Sequence, residues 1–273
     1  MYYYFKKDRL SAFLEGVTEL FFPMGTYCIS CGKYVDITRP YIICDQCMDA
    51  INWGFISIDL KEERKHSGRT FYLDSALSCM VYGLHSKRLI FDLKYNKKTY
   101  LARPIAMMMH DRLVNDEETR SIINDIDLVV PVPIHSERLK KRGFNQAALI
   151  SEELSDRLRH TLGSSGLICL PCLIRNKQTV EQRSVTGAQR FSNLEGAFSI
   201  DKRYLSQIKG KRVLLVDDIM TTGATADRCA RVLKDAGASE VHLICLTTGN
   251  YYLKGAIRER DDEDFLKSIY TSP

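Results

Sequence analysis

Residues 213–225 read VLLVDDIMTTGAT. Val213, Leu214, Leu215 and Val216 form an unbroken β-rich apolar run, the pattern of a central strand covered on both faces. The run stops at two adjacent carboxylates, Asp217 and Asp218. The small and hydroxylated Thr221, Thr222, Gly223, Ala224 and Thr225 then lead into apolar positions at helical spacing: Ala226, Cys229, Ala230, Leu233 and Ala236. Gly237 stands where a C-cap belongs. The pattern predicts a strand, a turn and a helix start. Free backbone N–H groups, hydroxyls and the positive end of a helix dipole meet there, and that combination binds phosphate. Glycine admits close backbone approach, and two carboxylates ahead of it can accept hydrogen bonds from a vicinal diol, so the expected ligand is a sugar phosphate. A plain strand-to-helix turn with solvated acids is the other arrangement this pattern allows.

The stretch closely resembles the 5-phosphoribosyl-diphosphate (PRPP) signature of type I phosphoribosyltransferases. The resemblance implies that Asp217 and Asp218 hold the ribose hydroxyls and that Thr221, Thr222, Gly223, Ala224 and Thr225 wrap the 5′-phosphate.

With 273 residues, the chain has room for one large domain and a small appendage. No apolar run approaches the roughly 20 residues that span a bilayer. No signal-peptide series opens the chain, so a cytoplasmic location is expected. The net charge of +5 is unevenly spread: residues 131–212 carry fifteen Lys or Arg against seven Asp or Glu. A basic middle suits phosphate-rich ligands, either PRPP or a nucleic acid backbone, although solvated surface has the same composition.

Nine cysteines in a chain without export signals point to metal binding and buried thiols before disulfides. Residues 10–22 give a short helix-like pattern. Cys28-x-x-Cys31 follows and, after twelve intervening residues, Cys44-x-x-Cys47. Two such turns present four thiolates to one ion, so a closed, structural Zn²⁺ site is expected. Gly32 fits the tight turn, and Tyr41, Ile42 and Ile43 fit a short strand into the second pair. Cys169 and Cys172 repeat the C-x-x-C spacing, but on a predicted strand that offset puts them on opposite faces, so they read as buried thiols.

After a charged stretch at residues 61–65, residues 71–82 read as a strand. Residues 85–95 read as a helix with Leu89, Ile90 and Leu93 inward, and a second helix spans about residues 100–113. Residues 127–133 (DLVVPVP) form another buried strand, followed by HSERLKKRGFNQ over 135–146. Arg138, Lys140, Lys141 and Arg142 crowd around Gly143 in a second strand-to-helix loop, positive where the first is acidic, and Asn145 caps the next helix. In a type I phosphoribosyltransferase the diphosphate loop belongs here. Strands are expected at 167–174, 197–200 and 240–247. Between the first two, residues 175–190 carry Lys177, Gln178, Gln182, Arg183 and Arg190; their position between strands favours a hood over a phosphate site rather than an ordinary surface loop.

Taken together, these segments resemble the ComF family, of the ComFC type found in bacterial competence systems. The resemblance rests on the four cysteines, the VVPVPIHSERLKKRGFNQ block, the Gln182, Arg190 and Asn193 spacing and DDIMTTGAT. It implies an α/β, type I phosphoribosyltransferase-like fold: a doubly wound, mainly parallel sheet with a small N-terminal zinc ribbon. The division expected is a helix and ribbon over residues 1–60, the phosphoribosyltransferase-like domain over 70–257 and an acidic tail over 258–273. Mg²⁺ is implied with PRPP, Arg183 and Arg190 join the basic loop as contacts to diphosphate or DNA backbone, and single-stranded DNA and a ComFA-type helicase are implied partners. An active phosphoribosyltransferase acting on a base or amine is the alternative; no spacing marks an acceptor pocket or a catalytic residue.

Overall fold

The structure, a computed structural model, describes residues 27–36, 40–53, 56–58, 60, 71–115, 117–164, 166–177 and 196–249. The helix expected at 10–22, the charged stretch at 61–65, the hood residues Gln178, Gln182, Arg183, Arg190 and Asn193, and the tail over 258–273 lie outside the described residues. The chain divides into two compact units, Met1–Ala50 and Ile51–Pro273.

In the first unit, helix α1 (Asp45–Ala50) opens directly at the second cysteine pair. The strand expected over residues 41–43 is instead a 3₁₀ turn, Pro40–Ile42, in which Tyr41 and Ile42 both adopt φ of 59°. A positive φ takes them out of extended geometry. The turn lets the Ile42 carbonyl accept from the Ile29 amide at 3.0 Å, so it closes back on the first cysteine pair instead of pairing as a strand.

The second unit is built on a six-stranded sheet. Its strands are β1 (Ile56–Ile58), β2 (Ser75–Val81), β3 (Leu128–Pro131), β4 (Ile168–Cys169), β7 (Arg212–Met220) and β8 (Glu240–Thr248), in the order β1-β2-β8-β7-β3-β4. All neighbours are parallel except the β1 edge. Strands β5 (Leu173–Arg175) and β6 (Phe198–Ile200) pair with each other as a separate antiparallel hairpin. The single strand expected over 167–174 is therefore split. Pro171 has no N–H to continue the ladder, the Leu170 amide makes the last bond to β3 at the Val129 carbonyl, and the chain resumes in the hairpin.

The helices of this unit longer than one turn are α2 (Leu84–Lys94), α3 (Ala102–Asn115), α4 (Glu117–Asn124), α5 (Ser136–Arg142), α6 (Gln146–Leu162) and α7 (Ala224–Asp235). Val213, Leu214, Leu215 and Val216 are wholly buried. At about 2 kcal/mol for each such side chain, this run anchors the sheet. Val213 and Leu215 pack with Ala226, Cys229, Ala230 and Leu233 of α7, whereas α3 and α6 cover the opposite face. Helices on both faces of a parallel sheet make the doubly wound α/β architecture.

Two further expectations change. β7 runs on through Asp217 and Asp218 to Met220, because β8 keeps pairing with it as far as Met220 opposite Thr248. The basic stretch after β3 is a helix, not a loop: the His135 side chain accepts the Glu137 amide at its start, and Gly143, at φ 91°, closes it. Among the described residues, no helix is long and apolar enough to cross a membrane.

Candidate functional site

β3 and β7 are neighbours, and the chain leaves them in opposite directions, with β4 on the far side of β3 and β8 on the far side of β7. Such a reversal opens a crevice beyond the carboxyl ends of the strands, where ligands of open α/β sheets sit. Pro131, the last residue of β3, is level with Val216, which sets Asp217 and Asp218 just past that edge.

The two carboxylates differ in surroundings. Asp218 is only 1% exposed; the Lys94 Nζ, at the end of α2, lies 2.5 Å from its Oδ2, and the Gln146 Nε2, at the start of α6, donates to its Oδ1 at 3.3 Å. Asp217 is half-buried, and its Oδ1 accepts the Asp218 amide at 2.9 Å. Burial disfavours charge on both. At Asp218 the adjacent ammonium outweighs burial and holds the carboxyl below its ordinary range. At Asp217 burial and the Asp218 charge together push it well above. The surroundings thus favour the anion at Asp218 and the protonated form at Asp217.

The basic helix reaches this pair through Gln146, whose Oε1 accepts from Arg142. The Arg142 guanidinium also lies 5.6 Å over the Tyr95 ring. Asn145 ties the segment to the sheet by donating to the Val132 carbonyl at 3.0 Å, while its Oδ1 accepts the Ala147 amide at 3.1 Å as the expected cap. Lys140 turns to Glu137 at 3.1 Å. Lys141 and Gly143 are exposed and Arg138 is half-buried on the same short helix. Arg183 and Arg190 lie outside the described residues.

Behind the carboxylates, Thr221 is exposed, Thr222 and Thr225 are half-buried, and Gly223 and Ala224 are buried. Gly223 is the N-cap of α7 at φ 68°, with no side-chain cap. The first turn of this twelve-residue helix therefore faces the end of β7 with its backbone amides. The Met220 carbonyl accepts both the Gly249 amide at 2.9 Å and the Thr248 hydroxyl at 3.1 Å, which pins the strand end from which the turn departs. A third acid, Asp227, does different work: buried in α7, it accepts the Tyr72 and Leu73 amides at 2.6 and 3.4 Å and anchors the approach to β2.

Lys94, Gln146 and Tyr95 are the members of this site that the sequence reading passed over. Gln146 closes the quoted HSERLKKRGFNQ block, and Lys94 and Tyr95 end a helix that was correctly expected. Nothing local marks their partners: Asp218, which lies 72 residues from Gln146 and farther from Lys94, and Arg142 for Tyr95.

In the first unit, the sulfurs of Cys28, Cys31, Cys44 and Cys47 all lie within 4.8 Å of one another, with Cys31 and Cys44 at 3.6 Å. The edge of a tetrahedron with Zn–S bonds of ~2.3 Å is about 3.8 Å. The Cys31 and Cys44 amides donate to the Cys28 sulfur at 3.5 and 3.4 Å, favouring its thiolate. This cluster fits a structural metal ion in a ribbon.

The family of the phosphoribosyl transferase domain matches residues 148–269. Competence protein F of Haemophilus influenzae is 26% identical over 224 residues, which span 79% of this chain and 94% of that protein. DNA utilization protein YhgH of Escherichia coli is 28% identical over 58% of this chain and 65% of its own length. Competence protein ComFC of Bacillus subtilis is 33% identical over 40% of this chain and 39% of its own.

Proposed function

Because this chain is a ComF-family protein with a phosphoribosyltransferase domain, we propose that its β7–α7 crease binds PRPP and that the protein assists the handling of single-stranded DNA in natural transformation. The observation that carries the reading is the Asp217–Asp218 pair at the switch point, directly ahead of the uncapped start of α7. Asp217 and Asp218 accept the ribose hydroxyls, and residues 221–225 take the 5′-phosphate. Arg138, Lys140, Lys141, Arg142, Gly143, Arg183 and Arg190 serve the diphosphate or a DNA backbone, where contacts give affinity without sequence preference. Mg²⁺ is held in such sites by one or two carboxylates together with substrate phosphates, and this donor set fits it. Zn²⁺ fills the thiolate cluster. The work is done in the cytoplasm, beside a helicase of the ComFA type.

Calorimetric titration of PRPP with and without Mg²⁺ tests the site. Binding should need Mg²⁺ and should fall at least tenfold in Asp217→Asn, which keeps shape but cannot ionise. Asp217 is a full acceptor only when ionised, and its surroundings push its carboxyl up, so affinity should climb as pH rises above the ordinary carboxylate range. Affinity untouched by Asp217→Asn, or flat with pH, overturns the assignment. Diphosphate release in the same titrations, with bases and amines supplied, separates a turning-over transferase from a binding protein.

A further inference from the structure

Helix α2 buries Leu89, Ile90 and Leu93, yet its outward face is not the usual charged one. Leu84, Arg88, Phe91 and Tyr95 recur at intervals of four, three and four residues and share one outward stripe. Phe91 is 48% exposed and Tyr95 61%, their rings 5.0 Å apart and tilted by 40°. Tyr95 carries the Arg142 guanidinium on its ring, and Lys97 stands exposed at the turn that follows. The stripe ends at the crease, since Lys94, immediately before Tyr95, is the counter-ion of Asp218.

We infer that this stripe is a stacking platform for the bases of single-stranded DNA, with Arg88, Lys97 and Arg142 bordering it for the phosphates. The inference rests on the reading of this protein as a handler of single-stranded DNA and adds where the strand lies. Charge complementarity selects nucleic acid over a protein helix. From Leu84 to Tyr100 the sequence carries five Lys or Arg and one carboxylate, Asp92. That carboxylate is buried and already accepts from Lys98 at 2.8 Å and Asn96 at 2.7 Å, so no exposed anion in the segment repels a phosphate chain. Exposed aromatic faces flanked by cations are what sequence-tolerant strand binding uses, because every base has a π-face.

Fluorescence anisotropy on the full chain, with oligothymidylate and an abasic oligomer of equal length, tests this. Wild type should prefer the base-bearing strand by about tenfold or more. Phe91→Ala and Tyr95→Ala should each weaken oligothymidylate about tenfold and leave the abasic strand unchanged; Phe91→Ala, at a position outside the carboxylate site, should also leave PRPP titration unchanged, and Tyr95→Phe should bind oligothymidylate as wild type does. Arg88→Gln should lower the salt slope by about one. Equal affinity of wild type and both alanine variants for oligothymidylate overturns the platform and leaves the outward stripe to a protein partner. Parallel loss for both oligomers also overturns it. A wild type that binds no DNA sinks the platform and the DNA-handling reading together, and PRPP binding still stands or falls on Asp217.

Discussion

The cysteine cluster and the carboxylate crease are both sets of acidic groups drawn together, and their surroundings differ. Around Cys28, Cys31, Cys44 and Cys47, two backbone amides point at one sulfur and four sulfurs face one another. Four sulfurs placed this closely could hold a metal ion, which would supply the balance. Around Asp217 and Asp218 the fold itself contributes to the balance, from the Lys94 ammonium beside Asp218 and from surroundings that favour the protonated form of Asp217. On the proposed reading, a metal ion would order the first region, whereas the second is ordered by its own buried strand and would receive its ligand afterwards. The crease stands on four fully buried strand residues.

The largest effect should come from breaking the first arrangement. Structural zinc contributes roughly 10 kcal/mol or more to the folding of small metal modules. Purified protein should hold about one zinc per chain. Chelation, or Cys44→Ser, should strip hydrogen-exchange protection from the Cys31 and Cys44 amides, and the Val213 to Val216 amides should stay protected. Protection at Cys31 and Cys44 that survives complete removal of metal would show that backbone packing, not an ion, holds the knuckle.

Breaking the second arrangement should cost less and respond to pH. Lys94→Met leaves Asp218 buried without its counter-ion, a change of about 3 kcal/mol. Asp218 has a depressed carboxyl in the folded state, so its contribution is present above the ordinary carboxylate value and is lost as pH falls through the folded one. The gap in thermal stability between wild type and Lys94→Met should therefore narrow on acidification. A gap constant with pH would mean that Lys94 contributes packing alone and that the crease is not charge-balanced from within.

The same contrast explains what could be read in advance. The four-cysteine knuckle, the 213–216 run, the Asn145 cap and the Gly223 helix start are all carried by neighbours in sequence, and each stands where expected. What escaped reading depends on distant partners. β7 extends past Asp218 only because β8 supplies bonds beyond it. Lys94 meets Asp218 across the sheet edge, and periodicity on α2 identifies its buried side without saying what the other side faces. Pro171 is a local signal, yet the apolar residues on both sides of it read as one strand until the hairpin claims the second half. The basic stretch after β3 reads as a loop because its charges hide the His135 cap and the Gly143 stop.

The smallest expected effect sets the two regions against each other on equal terms. Gly32, in the knuckle, and Gly223, at the start of α7, both adopt the left-handed conformation, at φ of 78° and 68°. An added Cβ costs about 1 kcal/mol in that conformation, and around Gly32 it meets nothing within 4 Å. Gly32→Ala and Gly223→Ala thus impose similar backbone strain on two regions with different sources of order. Where an ion holds the fold, strain should appear as weaker metal affinity, about five- to tenfold in a competition titration, since about 1.4 kcal/mol is a factor of ten. Where packing holds it, strain should appear as a melting temperature lower by a few degrees, with metal content unchanged. If Gly32→Ala lowers thermal stability of the second unit while metal affinity stays at the wild-type value, or if Gly223→Ala changes metal affinity, the two sources of order are not separate.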